Sequence, residues 1–329
     1  MDLATNQGIK VLRAGKSWHG GAHEWSLPTR ATDGAWTPGK WTPAVERPSV
    51  CSRGWHLTTE PGRWWSGDAG VTAYLAEWDG ALSQQKGDEK FAVERCRLLR
   101  KLTADELATC GVFLSGNHEV RAGRAWAYGS ATVWAYDSAT VTAYGSATVW
   151  AYGSATVTAY GSATVWAYGS ATVWAYGSAT VTAYDSATVW AYDSATVTAY
   201  GSATVTAYGS ATVTATGSAT VRAYGSATVT AYDSATVRAT GSATVTATGS
   251  ATVRAYDSAT VTAYGSAKAH AAGQSVATAW GGGVVVTRDA RGVIVDRRGD
   301  TPRTVCKRSG LDGWRYADGE WVLSARVAE

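Results

Sequence analysis

The sequence predicts a protein dominated by β-structure: a two-stranded β-solenoid of sixteen residues per coil, with a small α+β cap domain before it and a β-hairpin cap after it. Three observations predict this class. The octad Y-G-S-A-T-V-x-A recurs from Tyr128 to Ala263 in seventeen complete copies. Apolar and polar positions alternate within it. The most variable position falls into blocks of like residues once alternate octads are sorted. Self-similarity at a fixed short period is the mark of a structure that itself repeats, and eight residues are too few for a helical repeat.

Each octad builds one strand and one corner. Positions 2, 4, 6 and 8 are Gly or Asp, Ala, Val and Ala, and positions 1, 3, 5 and 7 are Tyr, Ser, Thr and Trp, Thr or Arg. Period-two alternation makes S-A-T-V-x a strand with Ala and Val inward, and Gly or Asp beside Tyr supplies the turn. At position 7, one set of alternate octads carries Trp134, Trp150 and Trp166, then Thr182, Thr198, Thr214, Thr230, Thr246 and Thr262. The other carries Thr142, Thr158, Trp174, Trp190, Thr206, Arg222, Arg238 and Arg254. Two strands per coil explain both lists, because residues sixteen apart then sit on neighbouring rungs of one face. Eight and a half such coils would span roughly 40 Å at ~4.8 Å per rung. Two tyrosine columns, interrupted only at Thr216, Thr240 and Thr248, should stack along the corners as in other ladders of identical side chains.

The flanks cap the open ends of the coil. Residues 1–125 are rich in Trp, Gly and Pro, with one helix expected near 103–110; the repeat unit is assigned to 126–271 and the C-terminal cap to 272–329. Lys268 replaces a ladder threonine where the octads decay. Beyond it VVVTRDARGVIV (284–295) and WRYADGEWVL (314–323) read as hairpins, the second turning at Asp318-Gly319.

Composition narrows the function classes. With 29 basic and 26 acidic side chains the net charge is +3, which marks no strong polyanion binder. The start, MDLATNQGIKVLRAGK, has no apolar core of a signal peptide, and no segment approaches eighteen apolar residues. Cys51, Cys96, Cys110 and Cys306 form no C-x-x-C pair and read as reduced thiols, so a cytoplasmic or phage-encoded protein without a membrane span is expected.

Several flanking segments carry a resemblance: HGGAHEWSLP (19–28), PSVCSRGWHL (48–57), KFAVERCRLLRKL (90–102), GQSVATAWGGGVVVTRDARGVIV (273–295) and DGWRYADGEWV (312–322). Together they resemble a family of uncharacterised proteins from actinobacteria and phages. In that family a small domain with a C-x-x-G-x-H-L element precedes a Ser/Ala/Gly-rich repeat and a short β cap. The resemblance implies the layout and no activity. The repeat is similar to bacterial ice nucleation proteins, which also combine sixteen-residue coils, Y-G-S, T-x-T and a tyrosine ladder, with arginines replacing ladder threonines late in the array. This chain departs from them by repeating its strand in both halves of the coil and by placing Trp in the early ladder.

Four features are candidate sites. Thr180, Thr196, Thr212, Thr228, Thr244 and Thr260 run beside Thr182, Thr198, Thr214, Thr230, Thr246 and Thr262 as a flat grid suited to ordering water or ice, or simply as good β-formers on an exposed ladder. Arg222, Arg238 and Arg254 form a like-charged column for an anionic partner or a second copy of the chain, with Asp233 and Asp257 expected to offset part of the charge; three cations neutralise too few phosphates for a nucleic acid. Trp134, Trp150 and Trp166 on one face and Trp174 and Trp190 on the other read as association strips or as packing for the N-terminal domain. His19, His23, Cys51 and His56 are the one ligand-like set, weighed as a zinc site against structural roles. No phosphate loop, G-x-S-x-G or H-E-x-x-H occurs, and no cofactor is implied. The resulting expectation is a non-enzymatic, self-associating scaffold. An ice-binding rod is the first alternative and an enzymatic or toxin-like N-terminal domain the second.

Overall fold

The computed structural model describes residues 1–17, 23–50, 52–66, 70–84, 89–281, 285–288, 292–297, 303–306, 314–317 and 320–323. The chain divides into two compact units, Met1–His118 with Arg124–Ala131, and Glu119–Gly123 with Thr132–Glu329.

The first unit is built on four antiparallel strands, β1 (Gln7–Arg13), β2 (Trp55–Thr58), β3 (Val71–Gln84) and β4 (Lys90–Lys101). β1 pairs with both β2 and β3, and β4 pairs with both as well, so the strands close into a small barrel-like ring. Leu12, Leu57, Tyr74, Phe91, Val93 and Leu98 fill its core. Gly8 is required there, because a Cβ would lie 2.6 Å from Phe91 Cζ. The expected helix is Ala104–Thr109 (α1), opened by a capping box in which Thr103 Oγ1 accepts from the Glu106 N–H and Glu106 Oε2 from the Thr103 N–H. Arg100 pairs with Glu106 and, with the Thr103 bonds, draws its carboxyl down to about 2.

The second unit is the solenoid. Strands of four residues, Thr-Val-x-Ala, alternate between two parallel sheets with a sixteen-residue step in register, as in Thr180↔Thr196, Val181↔Val197, Thr182↔Thr198 and Ala183↔Ala199. Sheet I holds eleven such rungs from Thr132–Ala135 to Val293–Asp296, and sheet II ten from Thr140–Ala143 to Val285–Arg288. Eleven rungs span about 50 Å. Every Ala and Val facing inward from Ala131 to Ala263 is essentially fully buried, so the core is two small side chains deep.

One expectation is corrected here: the strand is T-V-x-A rather than S-A-T-V-x. The turn at position 2 is as expected. The residues there take left-handed backbone, with Gly at φ +57 to +78° and Asp at +53 to +57°, and they turn the chain at the corner. The alternation therefore breaks at Gly-Ser. The corner is stitched instead by an Ala N–H to Tyr C=O bond within most octads and a Ser N–H bonded to the preceding coil, as for Ser202 to the Asp185 carbonyl at 2.8 Å.

The stretch 284–295 is not a hairpin. Val285–Arg288 pairs parallel with Lys268–Ala271 in sheet II, and Val293–Asp296 with Val276–Trp280 in sheet I. The coil thus continues through the assigned cap. Arg303–Cys306 then runs antiparallel to Val293–Asp296 and covers the edge of sheet I. The second expected hairpin is present, Trp314–Ala317 pairing with Glu320–Leu323. Among the described residues no helix is long and apolar enough to cross a membrane.

Candidate functional site

The outer faces of the solenoid carry most of the residues singled out in the sequence. On sheet I the twelve grid threonines occupy six successive rungs in unbroken register. The two columns are not equivalent: the Thr180 column is exposed, whereas the Thr182 column is half-buried. Aromatic contacts on the same solenoid give the reason. A position-7 side chain lies beside the tyrosine that ends the next coil, as in Trp150 against Tyr168 at 6.3 Å and Arg238 over Tyr256 at 4.7 Å. Each face is thus three columns wide, Thr, then position 7, then Tyr.

The tyrosines stack as expected. One column runs unbroken from Tyr136 through Tyr152, Tyr168 and Tyr184 to Tyr200, and the other from Tyr144 to Tyr224, with centroids 4.7 to 5.1 Å apart and rings nearly parallel. On either side of Thr216 the flanking Tyr200 and Tyr232 are 39% and 41% exposed. The first column ends in cations on both sides: Arg121 lies 4.8 Å over Tyr136, and Arg297 5.1 Å over Trp280. Neither cap was read from the sequence. Trp150 and Trp166 stack at 4.4 Å on sheet I, below Trp134, and Trp174 and Trp190 at 5.1 Å on sheet II.

Arg222, Arg238 and Arg254 are exposed and aligned on sheet II, and His270 continues their column. Asp233 and Asp257 form no ion pair with them. Their carboxylates accept the backbone N–H groups of Gly217 and Gly241, and none of the three arginines forms an ion pair among the described residues. Beside the column a groove of about 430 Å³ is lined by Arg254, Tyr256, Lys268 and His270, with no carboxylate among the described residues of its wall.

In the first unit, His19 and Cys51 lie outside the described residues. His23 packs edge-on against Trp25 and Trp55, at 5.3 and 4.5 Å. His56 sits in β2, where its carbonyl accepts from Lys10 Nζ at 3.0 Å. Among the described residues no three His, Cys, Asp or Glu side chains gather as a metal site. Lys10 was missed by the sequence reading. It is the one charged residue in the apolar run Ile9–Leu12, and only 8% of it is exposed. Burial lowers its amine to about 8, and burial likewise pushes the neighbouring Cys96 thiol up to about 12.

No family model, curated protein or solved structure matches the chain.

Proposed function

We propose that the protein is a non-enzymatic β-solenoid scaffold that associates with copies of itself through its aromatic and arginine columns. The observation that supports this most directly is the pair of tyrosine stacks on the outside of the coil, with Tyr160, Tyr200 and Tyr208 of the stacks among the exposed large apolar side chains. A ladder of identical rings at rung spacing is complementary to a second such ladder, and tyrosine offers a broad apolar ring with a hydroxyl that tolerates water. The column of Arg222, Arg238 and Arg254, which forms no ion pair among the described residues, would meet the carboxylates of a neighbouring rod. Light scattering of the triple variant Arg222→Thr/Arg238→Thr/Arg254→Thr, beside wild type in low and high salt, tests the arginine role. The variant should lose mass and salt sensitivity together, and an unchanged mass would remove the arginines from the interface.

A second reading is favoured by the threonine grid. Its hydroxyls and methyls repeat at ~4.8 Å between rungs and ~7 Å along the strand, a flat lattice able to order water. The similarity of the repeat to ice nucleation proteins points the same way. Thr198→Lys with Thr214→Lys should abolish freezing or recrystallisation activity without unfolding the coil. A wild type without such activity would end this reading.

A further inference from the structure

The barrel of the first unit contains a cavity of about 580 Å³ at the seam between β1 and β2. Those strands pair only at Ile9↔Thr58, whereas β2 keeps four paired positions with β4. The unzipped seam leaves the space. Its walls are of two kinds. Ile9, Val11, Leu57, Trp55 and Trp64 present apolar and ring surface, and Lys10, Lys90, His23 and His56 present cationic or titratable groups. No Asp or Glu is among the described residues that line it.

From this arrangement we infer that the seam cavity is a receptor for a small organic anion, a phosphate or carboxylate head on a flat ring-bearing body, with Lys10 holding the head. Lys10 Nζ reaches across the seam to the His56 carbonyl and lies 4.7 Å from the Trp25 ring centroid. Neither partner carries a formal negative charge. Among the described residues Lys10 has no carboxylate partner, and Lys90 opposes its charge from the other wall. The like charge of Lys90 adds to the cost of burying the Lys10 ammonium, and an anion beside Lys10 offsets that cost. The edge-packed cluster of His23, Trp25 and Trp55 gives a ring a surface to pack on. Nothing in this inference depends on the solenoid's role.

The amine chemistry supplies a selective probe. With its amine lowered to about 8, Lys10 is about half neutral at pH 8, whereas an exposed lysine near 10.4 is neutral well under one per cent of the time. Pyridoxal 5′-phosphate reports whether the Lys10 amine is neutral and reachable; an amine bonded to its aldehyde carbon no longer holds the phosphate, so the anion site itself is read from protection and binding by phenyl phosphate. The neutral Lys10 amine adds to its aldehyde carbon, water leaves, and borohydride delivers hydride to the resulting imine to fix the label. Peptide mapping of the full-length protein at pH 8 should find Lys10 labelled about tenfold or more faster than any other lysine. Millimolar phenyl phosphate should suppress that label, and calorimetry should detect phenyl phosphate binding that Lys10→Met removes. Rapid labelling without protection would mark a reactive lysine and overturn the anion site, as would labelling no faster than elsewhere. If Lys10→Met fails to fold, protection of the wild type decides the question alone.

Discussion

Asp185 reaches back one full coil and accepts, through Oδ2, the backbone N–H of Gly169 at 3.1 Å. Asp193, Asp233 and Asp257 do the same to Gly177, Gly217 and Gly241. These aspartates are corner clamps between successive coils, held in left-handed backbone that Asp tolerates better than most side chains. Their placement follows. Asp137, Asp185 and Asp233 stand three coils apart, and no two aspartates occupy adjacent corners of one column. Carboxylates on neighbouring rungs would repel by about 1 kcal/mol in water.

Asp185→Ala therefore loses the clamp and also forces a Cβ-bearing residue without a compensating bond into φ +56°. Asp185→Gly loses the clamp alone. The alanine variant should cost about 2 kcal/mol and the glycine variant about 1 kcal/mol in urea unfolding. Equal losses would mean that the corner conformation carries no strain.

The threonine breaks in the tyrosine columns leave ring faces unstacked. Thr216→Tyr should join Tyr200 to Tyr232, and Thr248→Tyr should join Tyr232 to Tyr264. Each should stabilise the coil by about 0.5–1 kcal/mol, read as a rise in melting temperature. A fall would show that these corners cannot hold a ring.

The two-residue-deep core leaves no room to grow. Ala195 and Val197 are fully buried. Ala195→Leu should destabilise by about 1–3 kcal/mol or more through overpacking, whereas Thr198→Lys, on the outside of the same rung, should change stability by less than about 0.5 kcal/mol. Comparable losses would contradict the inward–outward assignment.

Lys10 and Cys96 make opposite contributions to the pH dependence of stability. Burial lowers the folded lysine from 10.5 to about 8, so between those values the unfolded chain binds the extra proton and stability rises with pH. Burial raises the folded thiol from 9.0 to about 12, so across that interval the unfolded chain loses the proton first and stability falls with pH. Together they predict a rise of about 1.4 kcal/mol from pH 8 to 9 and a levelling to about pH 10, above which the stacked tyrosines, whose hydroxyls burial also pushes up, add to the decline. Urea unfolding followed by tryptophan fluorescence checks this, and Lys10→Met should abolish the rise. A rise that survives the substitution would assign it to another group.

The coil period was legible because the octads repeat and the varying Trp, Thr and Arg residues mark which strands are neighbours. The turn at Gly or Asp was legible as well, but the strand was started two residues early, because Ser and Ala continue the alternation that the left-handed corner resets. The C-terminal extent was hidden for a different reason. Ala272–Ala279 is one more octad in altered letters, with Ser275 in an inward alanine position and its hydroxyl bonded to the Ala255 and Ala272 carbonyls. Beyond it the step grows to seventeen, from Lys268 to Val285 and from Val276 to Val293, so a count by eights loses the coil. Lys10 was passed over because one cation in an apolar strand reads as a solvent-facing position. Only the closure of β1 against both β2 and β3 shows that this position is enclosed.

Self-association is the central claim, and sedimentation equilibrium of the full-length protein across a micromolar concentration series tests it most directly. The account predicts a weight-average mass that rises above the 34.4 kDa monomer to at least the dimer within that range. A mass that stays at the monomer to the highest concentration would contradict it and leave the tyrosine columns as stabilisers of a solitary coil.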